Sequence, residues 1–212
     1  KAGSDPTDGD GYANASGNTV GAWRFALTAR SHREKMVARL YYDHFFEDES
    51  AAFDEYGWLD GLIGLELSLP LQSLHTVVAE FVRTDYQSGP VYHDHTPQLE
   101  EQVSGIDNYY NHGLYPGWQH FGMAMGNALF ASPLYAHNGT LLYTANRFRA
   151  VHLGFSGAPT PRLTYRLLLT TLRSWGTYVA PFAEVQRQHS LLAEIAWQLP
   201  PRLFGQHIGY GW

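Results

Sequence analysis

The 212-residue chain contains no cysteine, which excludes a disulfide framework and thiolate metal ligands. It has no run of 18 apolar residues either, so the sequence predicts no transmembrane helix. Only 16% of the residues are charged, and the formal net charge of −6 argues against nucleic acid as a partner. No secretory signal stands at Lys1, so an exported chain would have to be mature or incomplete.

Along most of the chain, apolar residues alternate with polar or charged ones. In the first stretch Trp23, Phe25 and Leu27 occupy the odd-numbered positions, and Arg24 and Thr28 occupy the even-numbered positions, so each set has one parity. The alternating stretches are residues 19–30, 35–46, 58–69, 74–86, 141–156, 163–170, 190–199 and 203–212. Their length exceeds the five or six residues usual for soluble strands and fits the roughly 9 to 11 that cross a bilayer at a tilt. A mean hydropathy of −0.29 is compatible with this, because half of each strand would face a polar lumen.

The connections between these stretches are short and long in turn. The short ones, rich in turn formers, are residues 31–34, 70–73, 157–161 and 200–202. The long ones are residues 47–57, 87–140 and 174–187. In outer-membrane barrels tight turns face the periplasm and long loops face outside. The sequence therefore predicts an all-β fold, an antiparallel transmembrane barrel in the bacterial outer membrane. We expect one domain over residues 1–212, with 87–140 as a long extracellular or lumen-plugging loop.

The predicted barrel is expected to be larger than the eight strands present. Ionisable residues occupy the inward parity, namely Arg24, Arg30, Arg39, Asp43, Glu66, Glu80, Arg166 and Glu194. An eight-stranded lumen is filled by side chains, whereas this many charges suit a wider or loop-plugged interior. Strand counting also puts both chain ends outside, although single-chain barrels normally keep them in the periplasm. We therefore expect further strands at both ends, so that these eight form a fragment.

The segment 87–140 is too long for a structureless connection and is expected to carry the function. Aromatic rings offer sugar faces a stacking surface, while carboxylate, amide and imidazole groups fix orientation by hydrogen bonds. The candidate glycan-binding residues are Tyr92, Asp94, Asp107, Asn108, Tyr109, Tyr110, His112 and Trp118. A second interpretation stays open, in which these groups satisfy one another and pack the loop into the lumen as a plug.

Other chemistries have weaker support in the same segment. His93, Asp94, His95 and His112 could bind a metal ion, but in an extended segment Asp94 would point away from its two neighbours. Acidic residues of the loop could form a glycosidase pair, yet no spacing identifies one. We therefore predict no metal site, no cofactor and no enzymatic activity.

The loop sequence carries a family resemblance. The stretches Asp85-Tyr-Gln-Ser-Gly-Pro-Val-Tyr-His-Asp-His95, Gly105-Ile-Asp-Asn-Tyr-Tyr-Asn-His-Gly113 and Gly117-Trp-Gln-His-Phe-Gly122 resemble the capsule assembly (Wzi) family of Bacteroidota-type bacteria. The similarity extends to Tyr165-Arg-Leu-Leu-Leu169 and Trp175-Gly-Thr-Tyr178. It implies a longer outer-membrane barrel that helps assemble or retain capsular polysaccharide by lectin-like action. The implied partners are that polysaccharide, outer-membrane lipid and possible other envelope proteins.

Two other classes remain open from the sequence. A soluble β-sandwich lectin or carbohydrate-active enzyme shares antiparallel alternation and aromatic loops, but its strands would be nearer six residues and a second sheet would cover the apolar parity. An outer-membrane channel or nutrient transporter would use the same inward charges to line its lumen. A soluble β-sandwich would be extracted without detergent, whereas a barrel would need detergent. A channel would conduct ions across a bilayer, whereas a plugged glycan-binding barrel would not.

Overall fold

The computed structural model of the chain describes residues 20–31, 33–46, 57–87, 108–111, 117–135, 139 and 141–199. These residues form nine strands, all antiparallel where they pair: β1 (Gly21–Ser31), β2 (Met36–Phe46), β3 (Gly61–Ser68), β4 (Thr76–Arg83), β5 (Gln119–His120), β6 (Met123–Ala124), β7 (Arg147–Thr160), β8 (Leu163–Gly176) and β9 (Pro181–Trp197). Two short 3₁₀ turns cover Gly57–Leu59 and Pro133–Tyr135. The prediction of an all-β antiparallel fold is confirmed. No helix in the described ranges has the length and apolarity to cross a membrane.

Seven strands form one sheet in the order β1-β2-β3-β4-β7-β8-β9, each hydrogen-bonded to the next. Within the residues described, the sheet is open, with β1 and β9 at its two edges. Strands β5 and β6 make a separate small hairpin inside the long β4–β7 connection. We call the sheet end at this connection the loop end.

The sheet has two faces of opposite character, as the alternation predicts. One row of direct cross-strand partners runs through Leu27, Leu40, Leu65, Ala79, Leu153, Leu169 and Leu191. This apolar face is open: Leu27 is 72% exposed and Leu191 is 66% exposed. The described residues provide no second sheet against it. The arrangement is the reverse of a β-sandwich, whose apolar faces are buried between two sheets.

The opposite, polar face carries the ionisable residues. Arg24 donates to both oxygens of Asp43, at 2.6 and 2.5 Å, and Arg166 contacts Glu194 at 2.6 Å. The Tyr41 hydroxyl donates to the Glu80 carboxylate on β4. All of these bonds join different strands, so the charges predicted for the inward parity share one face of the sheet.

Residues 174–187 were expected to form a long loop, and this prediction is wrong. Strand β8 continues to Gly176 and β9 begins at Pro181, so residues 177–180 form a tight turn. Gly176 has a φ of +83°, which glycine adopts at little cost, and the Thr177 Oγ1 accepts a hydrogen bond from the Ala180 amide at 2.9 Å. The strict alternation of short and long connections therefore fails here. Stretch 203–212 and the turn 200–202 lie outside the described residues.

Two other strand starts differ from prediction. Residues 57–59 form a 3₁₀ turn, so the third strand begins at Gly61 and not at Trp58. Residues 141–146 were predicted as strand, but β7 begins at Arg147 because the preceding segment bonds to the long loop. The Tyr143 amide, for example, donates to the Asn111 side chain at 2.8 Å.

The buried core lies at the loop end of the polar face. Its members are Val82, Tyr109, Phe130, Tyr143, Phe148 and Ala150. Val82 pairs directly with Ala150 and has the parity of Glu80, so the polar face becomes apolar near its loop end. The described part of the long loop folds onto this apolar end of the polar face, which explains why β4 carries valine on both parities, Val77 on one and Val78 and Val82 on the other.

Candidate functional site

Aromatic rings from the long loop form a cluster over the loop end. Tyr110 stacks on Phe130 with ring centroids 4.2 Å apart, and it meets the edge of Tyr143 at 5.3 Å. Phe130 meets Phe148 of β7 edge-on at 5.1 Å. Each such pair is worth about 0.5–1.5 kcal/mol beyond the area it buries. The cluster therefore fixes the loop against the sheet.

A tight backbone contact brings the two described loop segments together. The Trp118 amide donates to the Tyr110 carbonyl at 3.0 Å. Gly117 precedes it with a φ of +79°, and a Cβ at this position would overlap the Tyr110 carbonyl oxygen. Glycine is therefore required at 117 for residues 108–111 and 117–120 to meet.

Asp60 joins three parts of the chain beneath the loop. Its carboxylate accepts the amides of Tyr86 at 3.1 Å and Gln87 at 2.6 Å, and the hydroxyl of Tyr109 at 3.1 Å. The side chain is only 1% exposed, and the Arg83 Nε lies 4.0 Å away. Burial raises the pKa of Asp60 to about 6, although its hydrogen bonds act in the opposite direction.

Asn146 makes a second polar connection at the start of β7. Its Nδ2 donates to the Asn108 Oδ1 at 2.6 Å and to the Tyr109 carbonyl at 2.8 Å. Its own carbonyl accepts from the Thr84 hydroxyl at 2.7 Å and from the Gln87 side chain at 3.1 Å. These bonds satisfy backbone groups that the loop would otherwise bury without partners.

Asp85 holds a pair of arginines on the other side of the sheet end. It accepts from Arg83 Nε at 2.6 Å and from Arg149 Nη2 at 2.6 Å. Burial alone would raise the pKa of Asp85, but the hydrogen bonds from Arg149 and Arg83 outweigh it and hold this pKa below its ordinary value. The Tyr178 hydroxyl donates to the Asp85 carbonyl at 2.9 Å, which ties the β8–β9 turn to the end of β4.

Two cavities lie beside the loop. The first, which we call the aromatic pocket, has a volume of about 260 Å³. Its lining residues are Val20, Gly21, Ala22, Phe45, Phe46, Tyr109, Tyr110, Gly126, Asn127 and Phe130. The second, of about 420 Å³, lies between the loop and strands β8 and β9 and includes Ser132, Tyr135, Thr170, Gln188 and Ser190. Rings with a few polar groups can hold a sugar, and both cavities have that composition.

The structure brings four of the eight predicted glycan-binding residues together. Asn108 and Tyr109 belong to the polar network, Tyr110 lines the aromatic pocket, and Trp118 bonds to the Tyr110 backbone. Tyr109 is 3% exposed, so in this arrangement its ring packs in the core and its hydroxyl supports Asp60. Tyr92, Asp94, Asp107 and His112 lie outside the described residues. Glycan binding by these eight residues stays a prediction.

Sequence reasoning missed several residues that build this region. Asp60 falls inside the predicted strand 58–69, and Tyr143 and Asn146 fall inside the first residues of the predicted stretch 141–156. One feature of the sequence indicates that the strand begins later than residue 141. In stretch 141–156, apolar and polar residues alternate regularly only from about Ala150 onward. The partners of these side chains are far away in the chain, however, and no local pattern identifies them.

No protein-family model matches the chain, and the comparisons with curated proteins and with solved structures give no match either. Within the described ranges, no group of three or more histidine, aspartate or glutamate side chains is arranged to hold a metal ion. The arrangement consists of packed rings, hydrogen-bonded amides and one buried carboxylate.

Proposed function

We propose that the chain is part of an outer-membrane β-barrel that helps to assemble or retain capsular polysaccharide at the bacterial surface by lectin-like binding. The observation that carries the proposal is the two-faced sheet. Its apolar face is open across seven strands, while the long loop folds onto the polar face and leaves an aromatic pocket at the loop end.

The open apolar face supports a lipid environment. Large apolar side chains such as Phe25, at 52% exposure, and Ile195, at 75%, stand on a surface that spans the whole sheet. Soluble monomers rarely expose apolar patches larger than a few hundred Å². A barrel wall instead presents this face to hydrocarbon and its polar face to the lumen. Strands β7, β8 and β9, with 14, 14 and 17 residues, are long enough to cross.

The folded loop supports a plugged interior in preference to an open channel. Leu129 and Phe130 contact the sheet core, and the adjacent cavity is lined by Thr170 and Gln188 of the polar face. A loop that occupies the lumen side blocks the path that a channel needs. In bilayer recordings we expect no steady conductance from the full chain, whereas a transporter-type pore would conduct.

The aromatic pocket supports sugar binding. Phe45, Phe46 and Tyr110 line it with rings, and Asn127 adds an amide beside them. The pocket lies at the loop end, which faces outward if the long β4–β7 connection is extracellular. The resemblance of the loop sequence to the capsule assembly family selects capsular polysaccharide among possible glycans.

The test fills the pocket without removing a packing contact. Ala22 lines the aromatic pocket on β1, and Ala26 lies on the same strand and the same face but outside that pocket. Ala22→Leu should reduce binding of the detergent-extracted full chain to an array of purified capsular polysaccharides by about tenfold, the loss of about one stacking contact. Ala26→Leu, the matched control, should bind as the unchanged chain does.

Two results would contradict the proposal. One is a chain that binds no polysaccharide on the array, and the other is equal binding by the two alanine variants. Membrane insertion is tested separately, by extraction only with detergent and by heat-modifiable migration on gels. A chain that is water-soluble without detergent would remove the barrel part of the proposal.

A further inference from the structure

A row of four arginines crosses the loop end of the apolar face. Its members, one on each of β4, β7, β8 and β9, are Arg83, Arg149, Arg173 and Arg187, and each is the direct cross-strand partner of the next. They share the parity of Leu153, Leu169 and Leu191, so they project from the face of the leucine row, with Val151, Thr171 and His189 in the row between. With strands about 4.8 Å apart, the row is about 14 Å long.

Within the residues that the structure describes, the row has more positive charge than the neighbouring carboxylates neutralise. Like charges directly opposite one another destabilise a sheet, so four arginines in register require counter-charges. Asp85 supplies one to Arg83 and Arg149, and the buried Asp60 lies 4.0 Å from the Arg83 Nε. In the described part of the chain, no ion pair involves Arg173 or Arg187. Counted over the described residues, four cations against two carboxylates leave a net charge of at least +2.

The position of the row matches the boundary of an apolar layer. The ten residues 163–172 lie between the start of β8 and Arg173, and the ten residues 188–197 lie between Arg187 and the end of β9. Roughly 9 to 11 residues of a tilted strand cross the hydrocarbon core. The row would then lie at the level of the headgroups, where aromatic side chains also collect.

Aromatic rings do accompany the arginines at this level. The Arg149 guanidinium lies 5.5 Å from the Trp175 ring centre, and Arg147 lies 3.6 Å from that of Tyr178. Arg149 keeps 46% of its side chain exposed despite its bond to Asp85. Its guanidinium is therefore oriented by its neighbours but still accessible to a ligand from outside the protein.

We propose that this arginine row binds the phosphate groups of a phosphorylated lipid in the membrane leaflet at the loop end. The inference rests on the membrane insertion proposed above. Guanidinium groups bind phosphate oxygens in pairs of parallel hydrogen bonds, and adjacent strands present them at a spacing that allows two arginines to share one phosphate. The apolar rows below accept the acyl chains, so one lipid contacts both parts of the face.

The experiment compares two double variants of the full chain in nanodiscs of neutral phosphatidylcholine. These contain a minor fraction of lipid A, either bisphosphorylated or enzymatically dephosphorylated, and native mass spectrometry counts the lipid retained on the protein. The unchanged chain should retain the phosphorylated form about tenfold better, as charge-assisted bidentate contacts predict. Arg173→Gln with Arg187→Gln should lose that preference.

The matched control removes two arginines from the opposite face, as Arg30→Gln with Arg39→Gln, and should keep the preference. Equal retention of both lipid forms by the unchanged chain, or equal loss in both double variants, would overturn the inference. Complete displacement of the lipid by inorganic phosphate would assign the row to free anions and overturn it as well. A chain that inserts but shows no phosphate preference contradicts this inference alone, whereas a chain that does not insert contradicts the proposed function too.

Discussion

At the scale of single residues, the Asp60 carboxylate connects three parts of the described chain. One carboxylate orients the end of β4 through two amides and the loop through the Tyr109 hydroxyl. A buried ionised group is tolerated only with such partners, and three hydrogen bonds do not fully offset the loss of water. This remaining cost of burial raises the pKa of Asp60 to about 6.

We predict that Asp60→Asn removes a pH dependence of stability. Because the folded-state pKa of about 6 exceeds the ordinary value of 3.8, the folded chain holds a proton that the unfolded chain releases between these values. This contribution is therefore fully present below about pH 4 and lost as the pH rises through 6. A shift of this size corresponds to a change on the order of 2–3 kcal/mol in the free energy of unfolding.

The measurement compares urea midpoints of the full chain in the same micelles at about pH 4.5 and about pH 7.5. Other carboxylates titrate in both proteins, so the difference between the unchanged chain and Asp60→Asn isolates this group. The free energy of unfolding, obtained from each midpoint and its slope, should favour the unchanged chain over Asp60→Asn more at the lower pH than at the higher pH, by on the order of 2–3 kcal/mol. Equal differences at the two pH values would show that Asp60 keeps an ordinary pKa.

The sequence predicted the chemistry of the loop residues better than their roles. Tyr109 and Asn108 were selected because rings and amides suit sugars, and those residue types are equally suited to packing. Tyr109 bonds to a carboxylate 49 positions earlier, and Asn108 to an amide 38 positions later. Whether a ring faces a cavity or the core depends on such distant partners, which no local pattern encodes.

At the scale of elements, alternation predicted the strands whose two faces are chemically distinct, such as β1 and β2. It failed on the first part of β9, residues 181–187, which carry polar side chains on both parities and were predicted as part of a loop. Among the described residues, β9 pairs only with β8 and its side chains are almost all exposed, so no packed layer there requires a strict pattern. The pairing with β8 is what makes this segment a strand.

Gly64 provides a test of how neighbouring strands fit together. Tyr41 on β2 lies across Gly64 on β3 to reach Glu80 on β4, and a Cβ at 64 would overlap its ring. Gly64→Ala should therefore displace the ring, break the bond to Glu80 and destabilise the sheet by about 1–3 kcal/mol. Equilibrium unfolding in detergent measures the change.

The control for this prediction is a second strand glycine on the same face. A Cβ at Gly154 would lie 3.3 Å from the Leu168 Cδ2 and 3.5 Å from the Val78 Cβ, which needs only a small adjustment. Gly154→Ala should cost less than Gly64→Ala. Adding Tyr41→Ala to Gly64→Ala should remove the overlap, so the two changes should be far from additive. Additive costs would show that the ring does not depend on Gly64.

At the scale of the whole molecule, the sheet combines an open apolar face with a covered polar end. On the polar face, the described part of the long loop buries the apolar side chains near the loop end, such as Val82 and Phe148. On the opposite face, the row from Leu27 to Leu191 is exposed. A soluble protein would be expected to cover the larger apolar surface first, because burial is favourable in proportion to area. The proposed contact with lipid would remove that requirement.

The proposed lipid contact predicts that the two faces respond differently to the same charge. Leu169 and Thr170 are neighbours near the middle of β8, and Leu169 belongs to the apolar row while Thr170 lines the cavity of about 420 Å³ on the polar side. An arginine at the bilayer midplane costs about 2–4 kcal/mol on a lipid-facing strand. Leu169→Arg should therefore lower the bilayer-inserted fraction and the unfolding free energy by that amount.

Thr170→Arg is the matched change, because the cavity has room for the longer side chain. Its main loss is the hydrogen bond between the Thr170 hydroxyl and His152 Nδ1 at 2.7 Å, which is worth about 1 kcal/mol. Folding into vesicles of phosphatidylcholine, followed by gel migration without heating, measures both variants. If the apolar row faces water instead, both arginines would be solvated and Leu169→Arg would fold as well as Thr170→Arg. Equal folding would thus contradict the lipid contact on which the surface-glycan proposal depends.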